Sequence, residues 1–140
     1  MVVPVTRFRA EPYSFAFYSG LVDTQRLIVR DATAWQQVWS AIWRNQSPTP
    51  PLPAIDFGRD MVAVVALGQR ATGGFAILVD SAATSADGVT IVVRSIAPRP
   101  NCIVTQALTQ PVDLARLPRI DGVVTFREMA EEQTCGLGGT

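Results

Sequence analysis

Met61 to Leu67 is an unbroken apolar run, and Phe75 to Val79 is another. The first is long enough, without polar alternation, to read as a central strand covered on both faces. Between the two lies Gly68-Gln69-Arg70-Ala71-Thr72-Gly73-Gly74, and a glycine-rich connector there predicts a β-hairpin with residues 68–75 at its tip. Further strands are predicted at Val89–Ile96, Cys102–Thr109, Val112–Leu117 and Val123–Phe126. The polar turn Ser81–Gly88, the loop Pro98–Asn101 and the turn Asp121-Gly122 separate them. Earlier in the chain, Tyr13–Ser19 is aromatic and β-prone, and Arg26–Arg30 has a β-branched centre.

One segment has a helical period. Trp35, Trp39 and Trp43 fall at i, i+4 and i+8, with Val38 and Ile42 between them. Asp31 is a good N-cap type, so a helix is expected over about 32–45. Its tryptophan stripe is expected to pack on a sheet rather than stand exposed as a binding ridge. Ser47-Pro48-Thr49-Pro50-Pro51-Leu52-Pro53 cannot continue the helix or pair in a sheet, and reads as a semi-rigid connector. Residues 1–12 read as an N-terminal arm and 136–140 as a flexible glycine-rich tail. The expectation is a single α+β domain over 1–140, a mainly antiparallel sheet with one amphipathic helix across a face. Strands that do not alternate with helices argue against a parallel nucleotide-binding fold.

Composition narrows the function. The formal net charge is zero and no basic run exists, which argues against nucleic acid and against electrostatic docking on anionic membranes. No apolar run reaches the ~20 residues of a transmembrane helix. All twelve cations are arginine, so a serine–lysine dyad and a phosphate-loop lysine are both out of reach. There is no histidine, so neither a zinc site nor an imidazole-activated thiol is expected. Asp56 with Asp60, and Asp80 with Asp87, look like turn residues. Glu128, Glu131 and Glu132 look like solvated surface; none has calcium-loop spacing. The expectation is a protein with no catalytic residue, no metal and no cofactor.

The two cysteines, Cys102 and Cys135, are either free structural thiols or one disulfide. A bridge would close a loop of about 34 residues and contribute roughly 3–4 kcal/mol. It is the expected state, and with it an oxidising, extracytoplasmic compartment. Met1 to Arg7 does not look like a secretory leader, so the alternatives are a cytoplasmic protein or one that starts after a removed signal.

Gly73 and Gly74 suit a tight turn, since glycine accepts positive φ without strain. That does not explain Arg70 and Thr72, polar residues beside buried strands. These two are candidates for recognition, with Arg99 and Asn101 as neighbours if the two loops share an edge.

Four pieces of the chain, in order, resemble the PrcB C-terminal-domain family. They are Ile28-Val29-Arg30-Asp31 with Trp35 and Trp39; Ile55-Asp56-Phe57; Gly68 through Ile77; and Pro100 through Pro111 leading to Leu117-Pro118. The last two are the specific ones. The family takes its name from a non-catalytic subunit of a bacterial cell-surface protease complex. The resemblance implies an extracytoplasmic domain (periplasmic, secreted or envelope-held) that binds another protein, a protease among the candidates. It carries over no catalytic residues. Thr72-Gly73-Gly74-Phe75 also resembles the tip loop of chagasin-like protease inhibitors over four residues.

The leading expectation is therefore a non-enzymatic protein-binding domain that partners a protease or envelope protein through Arg70, Thr72, Gly73, Gly74, Phe75, Arg99 and Asn101. One alternative is a protease inhibitor acting through residues 68–75. Another is a carrier of a small apolar ligand between helix and sheet, around Trp35, Trp39 and Trp43.

Overall fold

A computed structural model describes residues 1–8 and 18–133. Its elements, in chain order, are β1 (Val2–Val3), β2 (Thr6–Arg7), β3 (Gln25–Val29), α1 (Ala32–Ile42), β4 (Asp60–Ala66), β5 (Ala76–Ser85), β6 (Gly88–Pro98), β7 (Val112–Pro118) and β8 (Val123–Gln133). The strands form two sheets, in the orders β1-β5-β6-β8 and β2-β7-β4-β3. Every pairing is antiparallel except β6 with β8. The α+β, sheet-dominated class expected from the sequence is the one observed.

The layering follows from β4. All of Met61 to Ala66 is buried, because the two faces of the strand have different cover. Met61, Ala63 and Val65 point into a core shared with Ile77, Val79, Ile91 and Val93 of the other sheet. Val62, Val64 and Ala66 point into a second core, against Trp35, Trp39, Ile42 and Trp43. The molecule is thus three layers deep: helix, inner sheet, outer sheet.

Helix α1 starts where expected. Asp31 accepts the Ala34 amide at 2.8 Å, satisfying a first-turn donor. It ends at Ile42, short of the expected residue 45, because the Gly20 amide takes the Ile42 carbonyl at 2.8 Å. The tryptophans are packed, as expected, at successive centroid distances of 5.7 Å. The proline-rich segment serves the same core. The Pro53 and Pro50 carbonyls each accept an indole N–H, from Trp35 and Trp39, both at 2.9 Å. These bonds satisfy two buried donors that would otherwise be costly.

Three expectations need correction. Residues 68–75 are not a hairpin tip, because β4 and β5 lie in different sheets; the segment crosses from one to the other. Cys102–Thr109 is not a strand: Pro98, Pro100 and Pro111 bracket it, and a single bridge from Thr109 to Arg70 is its ladder. The polar turn near 81–88 shrinks to Ala86-Asp87, because β5 runs on to Ser85 against β6. Strand β8 likewise runs past Phe126 to Gln133, in parallel register with β6.

The N-terminal arm adds a two-residue strand to each sheet. Most of the predicted strand Tyr13–Ser19 lies outside the described residues, and Tyr18 and Ser19 are in no strand. The tail 136–140 also lies outside them. No helix among the described residues is long and apolar enough to cross a membrane.

Candidate functional site

Two loops meet at one end of the sandwich. One is the crossing 67–75; the other is 99–111, between β6 and β7. They are stitched by backbone bonds. Arg70 and Thr109 exchange both amide–carbonyl bonds, at 2.8 and 2.9 Å, and the Gly73 amide donates to Thr105 at 2.8 Å. Leu67 is tied to Pro111 in the same way, at 3.0 Å. The buried Thr109 adds its hydroxyl to the Thr72 carbonyl at 2.8 Å. A loop pair held this way presents its side chains at low ordering cost on binding.

The glycines make the approach possible. Gly74 has φ +91°, and a Cβ there would lie 2.9 Å from both Pro98 Cγ and Val104 Cγ1. No L-residue fits that conformation in that space.

The predicted site residues separate into two groups. Arg70 is half-buried, with its guanidinium 5.5 Å from the centre of the Phe75 ring, in cation–π contact. Arg99 and Asn101 are exposed in the facing loop, in a turn closed by the Cys102 amide on the Arg99 carbonyl at 3.0 Å. Thr72, Gly73 and Phe75 are half-buried and locally engaged instead. The Thr72 hydroxyl donates to the Gly73 carbonyl at 3.0 Å, and Phe75 packs on the core between the sheets. They build the surface rather than project from it.

The sequence reading missed two residues that do project. Ile103 is 83% exposed and Leu108 is 57% exposed, both in the second loop. The loop pair thus carries exposed aliphatics as well as arginines, an apolar-plus-cationic mixture found at protein contacts. Three bracketing prolines were the available signal that this stretch is a loop.

Cys102 is not a free thiol. Its expected partner Cys135 lies outside the described residues, and so does the bridge. The Cys102 sulfur lies 4.0 Å from the Gln133 carbonyl, at the end of β8.

Among the described residues no group of three or more histidine, cysteine or carboxylate side chains could hold a metal. The tryptophans are core; the hollow near α1 is on its polar face, lined by Thr33, Gln36, Gln37, Ser40, Ala41 and Arg44.

The chain is thus a layered α+β domain with a stitched loop pair at one end. Residues 61–118 match the family model described as PrcB C-terminal. The matched segment runs from β4 through β7 and contains both loops, which are the two specific pieces of the resemblance. It covers less than half of the chain. No curated protein and no solved structure matches.

Proposed function

We propose that this protein is a non-enzymatic, extracytoplasmic binding domain, an accessory subunit or partner of a protease or envelope protein. The surface is the loop pair, with Arg70 and Arg99 as charged contacts, Asn101 as a polar one, and Ile103 and Leu108 as apolar anchors. The single observation that carries this reading is the stitching of 67–75 to 99–111 into one pre-ordered loop pair that bears both exposed aliphatics and arginines. The PrcB C-terminal match over that same segment supports a protease-complex role.

The inhibitor alternative ranks lower. A cleft-inserting element should protrude, whereas residues 70–73 lie hydrogen-bonded along a neighbouring loop. The ligand-carrier alternative ranks lower as well, since Trp35, Trp39 and Trp43 fill their own space. A Cys102–Cys135 bridge and an oxidising compartment fit the reading, because Cys102 adjoins Gln133, two residues before Cys135.

The test is capture from envelope and culture-fluid proteins of the source organism, wild type against an Arg70→Glu, Leu108→Asp variant. Enrichment of a protease or its complex by wild type, lost with the variant, is expected. Equal capture by both would reject the surface, and capture of no protease-complex component would reject the role.

A further inference from the structure

Strand β8 is the outermost strand of its sheet, and among the described residues no strand pairs with its outer edge. It is 11 residues long. Such an edge offers a row of backbone donors and acceptors to another strand. Proteins usually blunt long edges with proline, a bulge or charge, and of these β8 has only charge, at Arg127, Glu128, Glu131 and Glu132. Val123 to Gln133 contains no proline, and its register against β6 is unbroken.

The charges on β8 sort by face. Glu128, on the inner face, is held at both carboxylate oxygens by Arg26 of β3, each at 2.9 Å. On the outer face, Arg127, Met129 and Glu131 follow at two-residue spacing. Arg127 has no ion pair among the described residues, and Met129 is 42% exposed. Glu131 reaches Arg94 at 4.0 Å, and Arg94 in turn binds Asp80.

We propose that β8 pairs antiparallel with β8 of a second copy of this chain, about a two-fold axis at Met129. A two-fold perpendicular to the sheet keeps every side chain on its own face. Centred at Met129, it puts Arg127 opposite Glu131 of the second copy, and Glu131 opposite its Arg127. The methionines meet between these pairs, and Glu128 faces alanine. Opposite charges directly across a ladder attract, and like charges there repel. Centring on Glu128 sets that carboxylate against its own copy. Centring on Ala130 sets Glu128 against Glu132 twice. Of these three registers, the Met129-centred one alone joins opposite charges and separates like ones. It extends the row Asp80, Arg94, Glu131 to Arg127 of the second copy and makes one continuous eight-stranded sheet.

The test is sedimentation of the full chain from about 1 to 100 µM, a range that reads ordinary homodimer affinities. Wild type is expected to dimerise. Arg127→Glu or Glu131→Arg should each weaken the dimer at least about tenfold through like-charge contacts, and the double swap R127E/E131R should restore it. Circular dichroism checks that each variant is folded. Wild type itself provides a measure free of substitution: at about 1 M salt, where screening acts within about 3 Å, the dimer should weaken several-fold. A wild type monomeric throughout, a dimer indifferent to salt, single reversals that dimerise normally, or a swap that fails to restore would each overturn the proposal. Capture of a protease by the loop pair is read independently, so either proposal can fail alone.

Discussion

The Asp113 carboxylate on β7 accepts the backbone amide of Val79 on β5 at 2.8 Å, from one sheet to the other. Strand β1 covers only Ala82 and Ala83 of β5, and the register of β5 slips just after Val79. Among the described residues no strand reaches this part of the edge. Side chains from the inner sheet take its place: Asp113 receives the Val79 N–H, and Arg7 donates to the Val79 carbonyl at 2.6 and 3.0 Å. Arg7 and Asp113 are themselves 3.4 Å apart. An acidic residue buried in β7 thus closes an open backbone edge.

Replacing Asp113 should destabilise the fold. Asp113→Ala leaves the buried Val79 amide without this acceptor, a loss of about 2–3 kcal/mol. Arg7→Ala should cost less, about 1 kcal/mol, because Arg7 is a third exposed and solvent screens it. Urea unfolding checks both; equal and negligible changes would contradict this account of the edge.

Much of the layering was legible in the sequence. Met61–Leu67 reads as covered on both faces because a strand between two apolar layers needs no polar face. The Trp35, Trp39, Trp43 stripe reads as core because only a helix aligns those positions. What failed was pairing. A glycine-rich connector serves a crossing between sheets as well as a hairpin, and local pattern does not say which strand lies beside Leu67. Arg127 to Gln133 was unreadable for another reason: an edge strand beyond the core has no apolar face to reveal it. At the candidate site, Arg70 was legible as an oddity between buried runs. Ile103 and Leu108 were not, because exposed aliphatics in a loop look like a strand.

The helix core gives a second prediction. Trp39→Ala should cost about 3–5 kcal/mol, the range for large aromatics in a packed core. Trp39→Phe keeps most of the volume and loses the bond to Pro50, so about 1–2 kcal/mol is expected. Thermal unfolding separates the two, and a Phe variant as unstable as the Ala variant would argue against the packing described.

Gly88 and Gly74 are both required by close approach. A Cβ at Gly88 would lie 1.8 Å from the Val123 carbonyl oxygen, at the start of the β6–β8 ladder. Gly88→Ala should therefore lower stability by more than about 1 kcal/mol, whereas a Gly→Ala change at an unstrained site raises it. Gly74→Ala should act mainly on the loop pair, raising amide exchange at Gly73 and Thr109 while leaving β4 protected. Unchanged exchange at both would contradict the stitching.

The cysteines give a fourth. Intact mass of unreduced protein should fall two hydrogens below the reduced form, and reduction should destabilise by roughly 3–4 kcal/mol. Two thiols that label after denaturation without reductant would remove the bridge, and with it the support for an oxidising compartment.

Hydrogen exchange on the complex with the captured partner shows whether the stitched loops are the binding surface. New protection is expected across 67–75 and 99–110, with α1 unchanged. Protection confined to α1 or to β8, with both loops exchanging as in the free protein, would contradict it.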